Sequence, residues 1–170
     1  MLREIRPNKV QSNGGSFAIV ASQYNSRYVD AMLRAAKRTL TQYGAANVSV
    51  VRVPGAFEIP VVAARLARTQ PDLSAIICLG VILRGETTHA QHIGEAVSDA
   101  LMQIQTQHEI PVIHEVLLLE NEGQAKVRCL GKNHNRGTEA AQTALKMAAA
   151  MKRLAPSKPR MNKGRRPPSD

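Results

Sequence analysis

Ala75-Ile76-Ile77-Cys78-Leu79-Gly80-Val81-Ile82-Leu83, followed by Arg84-Gly85-Glu86-Thr87-Thr88 and then by His89 to about His108, decides the fold. A run with no polar side chain and many β-branched residues describes a strand buried on both faces. The polar break that follows, and the recurrence of Ile93, Ala96, Val97, Ala100, Leu101 and Ile104, describe an amphipathic helix that Pro111 closes. A fully buried strand that feeds a helix is the repeating unit of a parallel sheet.

The same alternation extends in both directions. Upstream, Ser16 to Ser22 is a short apolar run ending in Gln23-Tyr24-Asn25-Ser26. Arg27 to Tyr43 places Tyr28, Met32, Ala35, Ala36 and Leu40 on one helical face, with Arg34, Lys37 and Arg38 turned away and Gly44 as the stop. Val48 to Val53 is a β-branched strand; Pro54-Gly55 punctuates it, and Ala56 to Thr69 is helical up to Pro71. Downstream, Val112 to Leu119 is a fourth strand, its apolar character interrupted by His114 and Glu115. Glu120 to Arg128 fits a short helix and Thr138 to Leu154 a long one. The expected architecture is an α/β three-layer αβα sandwich: a four-stranded parallel sheet, helices on both faces, right-handed crossovers and no internal repeat.

At 170 residues and 18.5 kDa the chain fits one domain with a substantial core. We divide it into an N-terminal arm (1–15), the α/β domain (16–154) and a basic tail (155–170). The net charge of +10 invites a nucleic-acid reading. Seven of the 23 basic residues fall in Lys152 to Asp170 against one of 13 acids, however, so the remainder carries only +4. Lys152 to Arg166 has no aromatic to stack a base and forms no recognisable module, which argues against nucleic acid as a partner. Cys78 and Cys129 show neither paired nor metal-type spacing and read as reduced thiols. No run approaches the roughly 20 apolar residues of a membrane span, and Met1 to Val10 is charged where a signal peptide is apolar, so a cytoplasmic address is expected.

In open parallel α/β sheets, ligands bind beyond the carboxyl ends of the strands. The residues read there are Tyr24 and Asn25 after the first strand, Ala56, Phe57 and Glu58 after the second, Arg84 to His89 after the third, and His114 near the fourth. Of only five aromatics, Tyr24 and Phe57 both fall at these ends, either to stack a planar ring or to plug the core. Thr88-His89-Ala90-Gln91 fits a capping box, with Thr88 as the cap and Gly85 admitting a ligand to the backbone. Such a helix start is either an ordinary cap or an anion site supported by the Thr87 hydroxyl. His89 beside it has the chemistry of a proton donor or acceptor. His92 stands one turn on, but no third ligand at metal spacing appears, so no metal is expected. Glu58 can hold hydroxyl groups. Arg128 can hold a phosphate bidentately or lie on the surface, while Lys132 and Arg136 read as solvated.

Three segments carry a family resemblance: Val53-Pro54-Gly55-Ala56-Phe57-Glu58-Ile59-Pro60, Gly80-Val81-Ile82-Leu83-Arg84-Gly85-Glu86-Thr87-Thr88-His89, and Glu120-Asn121 with Gln124-Ala125 and Arg128. Asn135-Arg136-Gly137-Thr138-Glu139-Ala140-Ala141 is a looser fourth. From about Ser16 to Leu154 the chain resembles the 6,7-dimethyl-8-ribityllumazine synthases. The resemblance implies a flavodoxin-like sheet and a transferase that condenses 5-amino-6-(D-ribitylamino)uracil with 3,4-dihydroxy-2-butanone 4-phosphate. Phosphate and water leave, in the penultimate step of riboflavin biosynthesis, without metal or organic cofactor.

By the same resemblance, Tyr24 stacks on the pyrimidine, Ala56, Phe57 and Glu58 contact it and its ribityl chain, and Val81, Ile82 and Leu83 line the ring pocket. Glu86 and Thr87 match positions that bind the butanone phosphate, Arg128 matches the phosphate-binding arginine and His89 the proton donor. His114 and Arg128 would come from a neighbouring subunit, in a pentamer or multiples of it up to sixty chains, with riboflavin synthase as a candidate partner. The chain departs from the family pattern at Tyr24, usually phenylalanine or tryptophan; at His114, usually phenylalanine; and at Arg136, usually lysine. These departures and the tail leave an alternative on the same scaffold, a non-catalytic riboflavin-binding or shell-forming protein.

Overall fold

A computed structural model describes residues 14–131 and 134–155. The readings that fall on the N-terminal arm as far as residue 13, on Lys132, and on the tail from residue 156 lie outside the described residues. The elements run β1 (Ser16–Ser22), α1 (Ser26–Gln42), β2 (Asn47–Val53), α2 (Ile59–Thr69), β3 (Leu73–Leu83), α3 (His89–His108), β4 (Val112–Leu119), α4 (Glu122–Leu130) and α5 (Arg136–Leu154). The helix expected from Ala56 begins as a single 3-10 turn over Ala56–Glu58, with Pro60 at the start of α2 proper. Proline has no amide hydrogen to give and its ring fixes φ, so it suits the first turn of a helix.

The four strands are all parallel, in the order β2-β1-β3-β4. Alternation along each strand explains why the central runs are apolar throughout. Phe17, Ile19 and Ala21 of β1, with Ala75, Ile77 and Leu79 of β3, pack against Met32 and Leu40 of α1 and Ala144 and Leu145 of α5. Their neighbours Ala18, Val20, Ile76 and Cys78 face the other way, onto Ile59 and Ala63 of α2 and Val97, Leu101 and Ile104 of α3. The result is the expected flavodoxin-like three-layer sandwich with a core on each side of the sheet. Full burial of each such Ile, Leu or Phe contributes about 1.5–3 kcal/mol.

On the first of these faces the helices lie backbone to backbone. A Cβ placed on Gly137, at the start of α5, would stand 2.0 Å from the Met32 carbonyl oxygen of α1. Glycine is required there by contact and not by dihedral freedom. Asn135 prepares the approach: its Oδ1 accepts from the Gly137 amide (2.9 Å) and its Nδ2 donates to the Cys129 carbonyl at the end of α4 (2.5 Å).

The strand order places the functional end. The chain steps outward from β1 to β2 in one direction and from β3 to β4 in the other, so a crevice opens where the carboxyl ends of β1 and β3 diverge.

Candidate active site

Tyr24 is held at that crevice by backbone. The Gln23 amide donates to Val53 O (2.8 Å) and the Tyr24 amide to Pro54 O (3.0 Å), tying the loop after β1 to the end of β2. Asn25 takes left-handed dihedrals (φ 56°, ψ 37°), which asparagine tolerates better than most residues. Its Nδ2 donates to Val81 O (2.8 Å), bridging the crevice from β1 to β3, and its carbonyl receives the Tyr28 amide (2.9 Å) to start α1. Arg52 braces the same loop, with Nη2 donating to Ser22 O (3.0 Å) and Nη1 paired with Asp30 (2.5 Å). The Tyr24 ring therefore stands outside the core, 69% exposed, and lies so close over Gly55 that a Cβ there would sit 3.0 Å from it.

Phe57 is 61% exposed at the same end, while Ala56 is buried beneath it. Glu58 turns back to accept the Gly55 amide with Oε2 (2.8 Å), which fixes its carboxylate. Val81 and Ile82 are buried and Leu83 half-buried at the end of β3. Ala56 and Ile82 share a core cluster with Ala90 of α3, and this packing brings the start of α3 to the same end of the sheet. Tyr24, Ala56, Phe57, Glu58, Val81, Ile82, Leu83 and His89 are thus drawn to one end of one chain. Concavities of about 950 Å³ and 780 Å³ lie elsewhere, at the amino ends of the strands and beside α2.

Arg84 to His89 is exposed throughout. The Arg84 amide continues the β3–β4 ladder to Leu119 O (2.8 Å), and its side chain pairs with Glu120 (3.0 Å). The expected capping box does not form. Thr88 occupies the cap position with helical dihedrals (φ −73°, ψ −2°) and makes no side-chain cap bond, whereas Thr87 Oγ1 receives the His89 amide at 3.4 Å. A capping side chain needs extended backbone to swing over the first turn, and Thr88 lacks it. Gln91 bonds forward to Glu95 instead (2.8 Å).

One predicted residue stands apart from this end. His114 is the third residue of β4 and pairs in register with Cys78, whereas Leu119 marks the carboxyl end. That separation is roughly 16 Å along the strand, so His114 does not belong with the strand-end residues of its own chain. Its Nε2 lies 2.9 Å from Ser98 Oγ of α3. That hydroxyl also lies within hydrogen-bond reach of Gly94 O (2.7 Å). Arg128 is exposed on α4, a helix that packs on α1, α5 and β4.

Arg136, expected to be solvated, is instead engaged. Its Nε approaches Glu115 Oε1 of β4 to 2.7 Å and its Nη1 donates to Glu139 Oε2 at 2.6 Å. Glu115 is buried at 6% exposure. Burial pushes its carboxyl up to about 7, against the opposing pull of the Arg136 guanidinium; Glu139 adds to the rise and Arg128 reduces it. The pair is a close charge contact without a directed hydrogen bond. The sequence reading missed Glu115. Its one signal was a carboxylate, next to His114, inside a strand of otherwise apolar residues.

Residues 14–152 match the family model described as 6,7-dimethyl-8-ribityllumazine synthase. The chain belongs to this family. Among curated relatives of that description, it is 41% identical over 143 residues to one from Xylella fastidiosa (strain 9a5c), covering 83% of this chain and 92% of the relative. It is 39% identical over 140 residues to those from Stenotrophomonas maltophilia (strain R551-3) and Xanthomonas oryzae pv. oryzae (strain PXO99A), covering 81% of this chain and 90% of each relative. As a lumazine synthase family member the chain is a transferase with a role in riboflavin biosynthesis, acting on small molecules. No helix among the described residues is long and apolar enough to cross a membrane.

Proposed function

We propose that the chain condenses 5-amino-6-(D-ribitylamino)uracil with 3,4-dihydroxy-2-butanone 4-phosphate to 6,7-dimethyl-8-ribityllumazine, releasing phosphate and water, in the penultimate step of riboflavin biosynthesis. The observation that carries this reading is the convergence, at the crevice between β1 and β3, of an outward aromatic ring, a fixed carboxylate and a histidine-bearing helix start. Tyr24 stacks on the pyrimidine, Ala56, Phe57 and Glu58 hold the ring and ribityl hydroxyls, and Val81, Ile82 and Leu83 wall the pocket. Glu86 and Thr87 meet the butanone phosphate at the start of α3, where Thr88 makes no side-chain cap bond.

The chemistry assigns the rest. The amine of the uracil adds to the ketone and a first water leaves to give an imine; elimination of phosphate leaves an enol that tautomerises to a ketone; the second nitrogen adds to this carbonyl, and a second water leaves as the ring closes. Each loss needs a proton delivered to the departing oxygen, a task for His89. The phosphate needs a cation whose hold strengthens as its bond breaks, a task for Arg128. Arg128 and His114 serve the site of the adjacent subunit, a reading supported by the distance of His114 from the strand ends of its own chain. The working form is then a pentamer or a multiple of it.

The test is the rate of lumazine appearance with both substrates and purified protein. A rate no greater than the uncatalysed condensation overturns the proposal, and tight flavin binding without turnover would put a flavin carrier in its place.

A further inference from the structure

Glu115 has no part in the roles assigned above, yet it is the one buried carboxylate among the described residues. Burying a carboxylate is costly unless a cation shares the site. The groups that face it are Arg136 and Glu139 from α5 and Arg128 and Cys129 from α4, while β3 sets Leu79 opposite it. Arg136 thus pairs with two carboxylates where α5 begins, with the Arg128 guanidinium at the end of α4 within electrostatic reach of Glu115, and the four charges cancel when both acids are ionised. Asn135 ties the two helices together there, and Gly137 docks α5 hard against α1, which fixes the backbone beneath Arg136 and Glu139.

We propose that Glu115 is a positioning residue for phosphate: by pairing with Arg136 beside Arg128, it limits the positive charge at the phosphate end of the site, so that the leaving group is held during elimination and then released. This rests on the reading of Arg128 as the phosphate-binding arginine. Arg136, with one edge on Glu115 and Nη1 on Glu139, contributes a fixed and largely neutralised cation. Arg128 remains the exposed one. Since burial keeps the Glu115 carboxyl near 7, the restraint is complete in alkaline solution and lifts in mild acid.

The experiment measures inorganic phosphate binding to the assembled protein by calorimetry, together with phosphate inhibition of turnover, from about pH 5.5 to about 8.5, the range over which Glu115 changes charge. Glu115→Gln is expected to bind phosphate about fivefold more tightly than the parent above about pH 8, the order of effect of one unit charge near an anion at a protein surface. The gap closes below about pH 6, and because the ionisation of phosphate itself is common to both proteins, the ratio isolates Glu115. The variant should also show a lower KM for the butanone phosphate and a lower kcat, with KM for the aminouracil unchanged, as slower release of phosphate requires.

A ratio of one at every pH, or a ratio that does not vary with pH, overturns the proposal. Glu139→Gln provides a second route should Glu115→Gln fail to fold. It should tighten phosphate while keeping the pH step, displaced to lower pH because the negative charge of Glu139 no longer raises Glu115; loss of the step would overturn the role of Glu115. Arg128→Ala separates the two levels. If phosphate still binds without Arg128, the reading of the site falls and Glu115 with it. If phosphate binding is abolished there but unaffected by Glu115→Gln, only the role of Glu115 falls.

Discussion

Tyr24 contributes almost nothing to the core. Its ring is 69% exposed and its position is set by backbone bonds to Val53 and Pro54 and by the left-handed Asn25 beside it. Tyr24→Ala should leave the melting temperature close to that of the parent while raising KM for the aminouracil about 10-fold, since stacking a base on an aromatic ring is worth about 1–3 kcal/mol. Steady-state kinetics at varied aminouracil, with a thermal melt as control, check this. Glu115 behaves in the opposite way, through stability. Its folded carboxyl holds a proton to higher pH than the unfolded one does, so the stabilisation from that proton is complete below about 4.5 and is lost as pH rises through about 7. Compared with Glu115→Gln, the parent should therefore lose ground across that window and hold level above it. Denaturant midpoints at several pH values would show the crossover.

Gly137 lets α5 touch α1, and both helices share one core with the sheet. Gly137→Ala should cost about 3 kcal/mol or more, because the added methyl meets backbone and not a side chain that could rotate away. A melting temperature within a degree or two of the parent would contradict this. The elements themselves were open to reading because periodicity is a local property: β3 is apolar on both faces, and α3 changes to a 3.6-residue repeat immediately after Thr88. The residues collected at strand ends, Tyr24, Phe57, Glu58 and His89, followed from topology once the strands were in order. What stayed hidden depends on dihedrals and on docking. Thr88 matches the letters of a capping box while adopting helical angles, and His114, grouped with the strand-end residues, sits early in β4, far from its carboxyl end. The Glu115–Arg136 pair links residues that only the seating of α5 against β4 brings together. Arg128 was visible as a family letter, but nothing local shows which subunit it serves.

At the scale of the whole molecule, the proposed division of the site between neighbours makes a prediction that one chain cannot. His89→Ala and Arg128→Ala should each be severely slowed alone, by about 10- to 100-fold. Assembled together in equal amounts, they should recover about one quarter of parental activity, the share of interfaces in a cyclic oligomer that unite an intact His89 with an intact Arg128. A mixture no more active than either variant would place both residues in the same subunit's site. The two-sided core has a different consequence. Cys78 lies in the layer under α2 and α3, Cys129 in the layer under α1 and α5, and both are fully buried and free. Each thiol reacts with a labelling reagent only when its own layer breathes, so the chain carries one clock on either side of the sheet, and the two labelling rates, read by mass spectrometry, time the opening of each half independently.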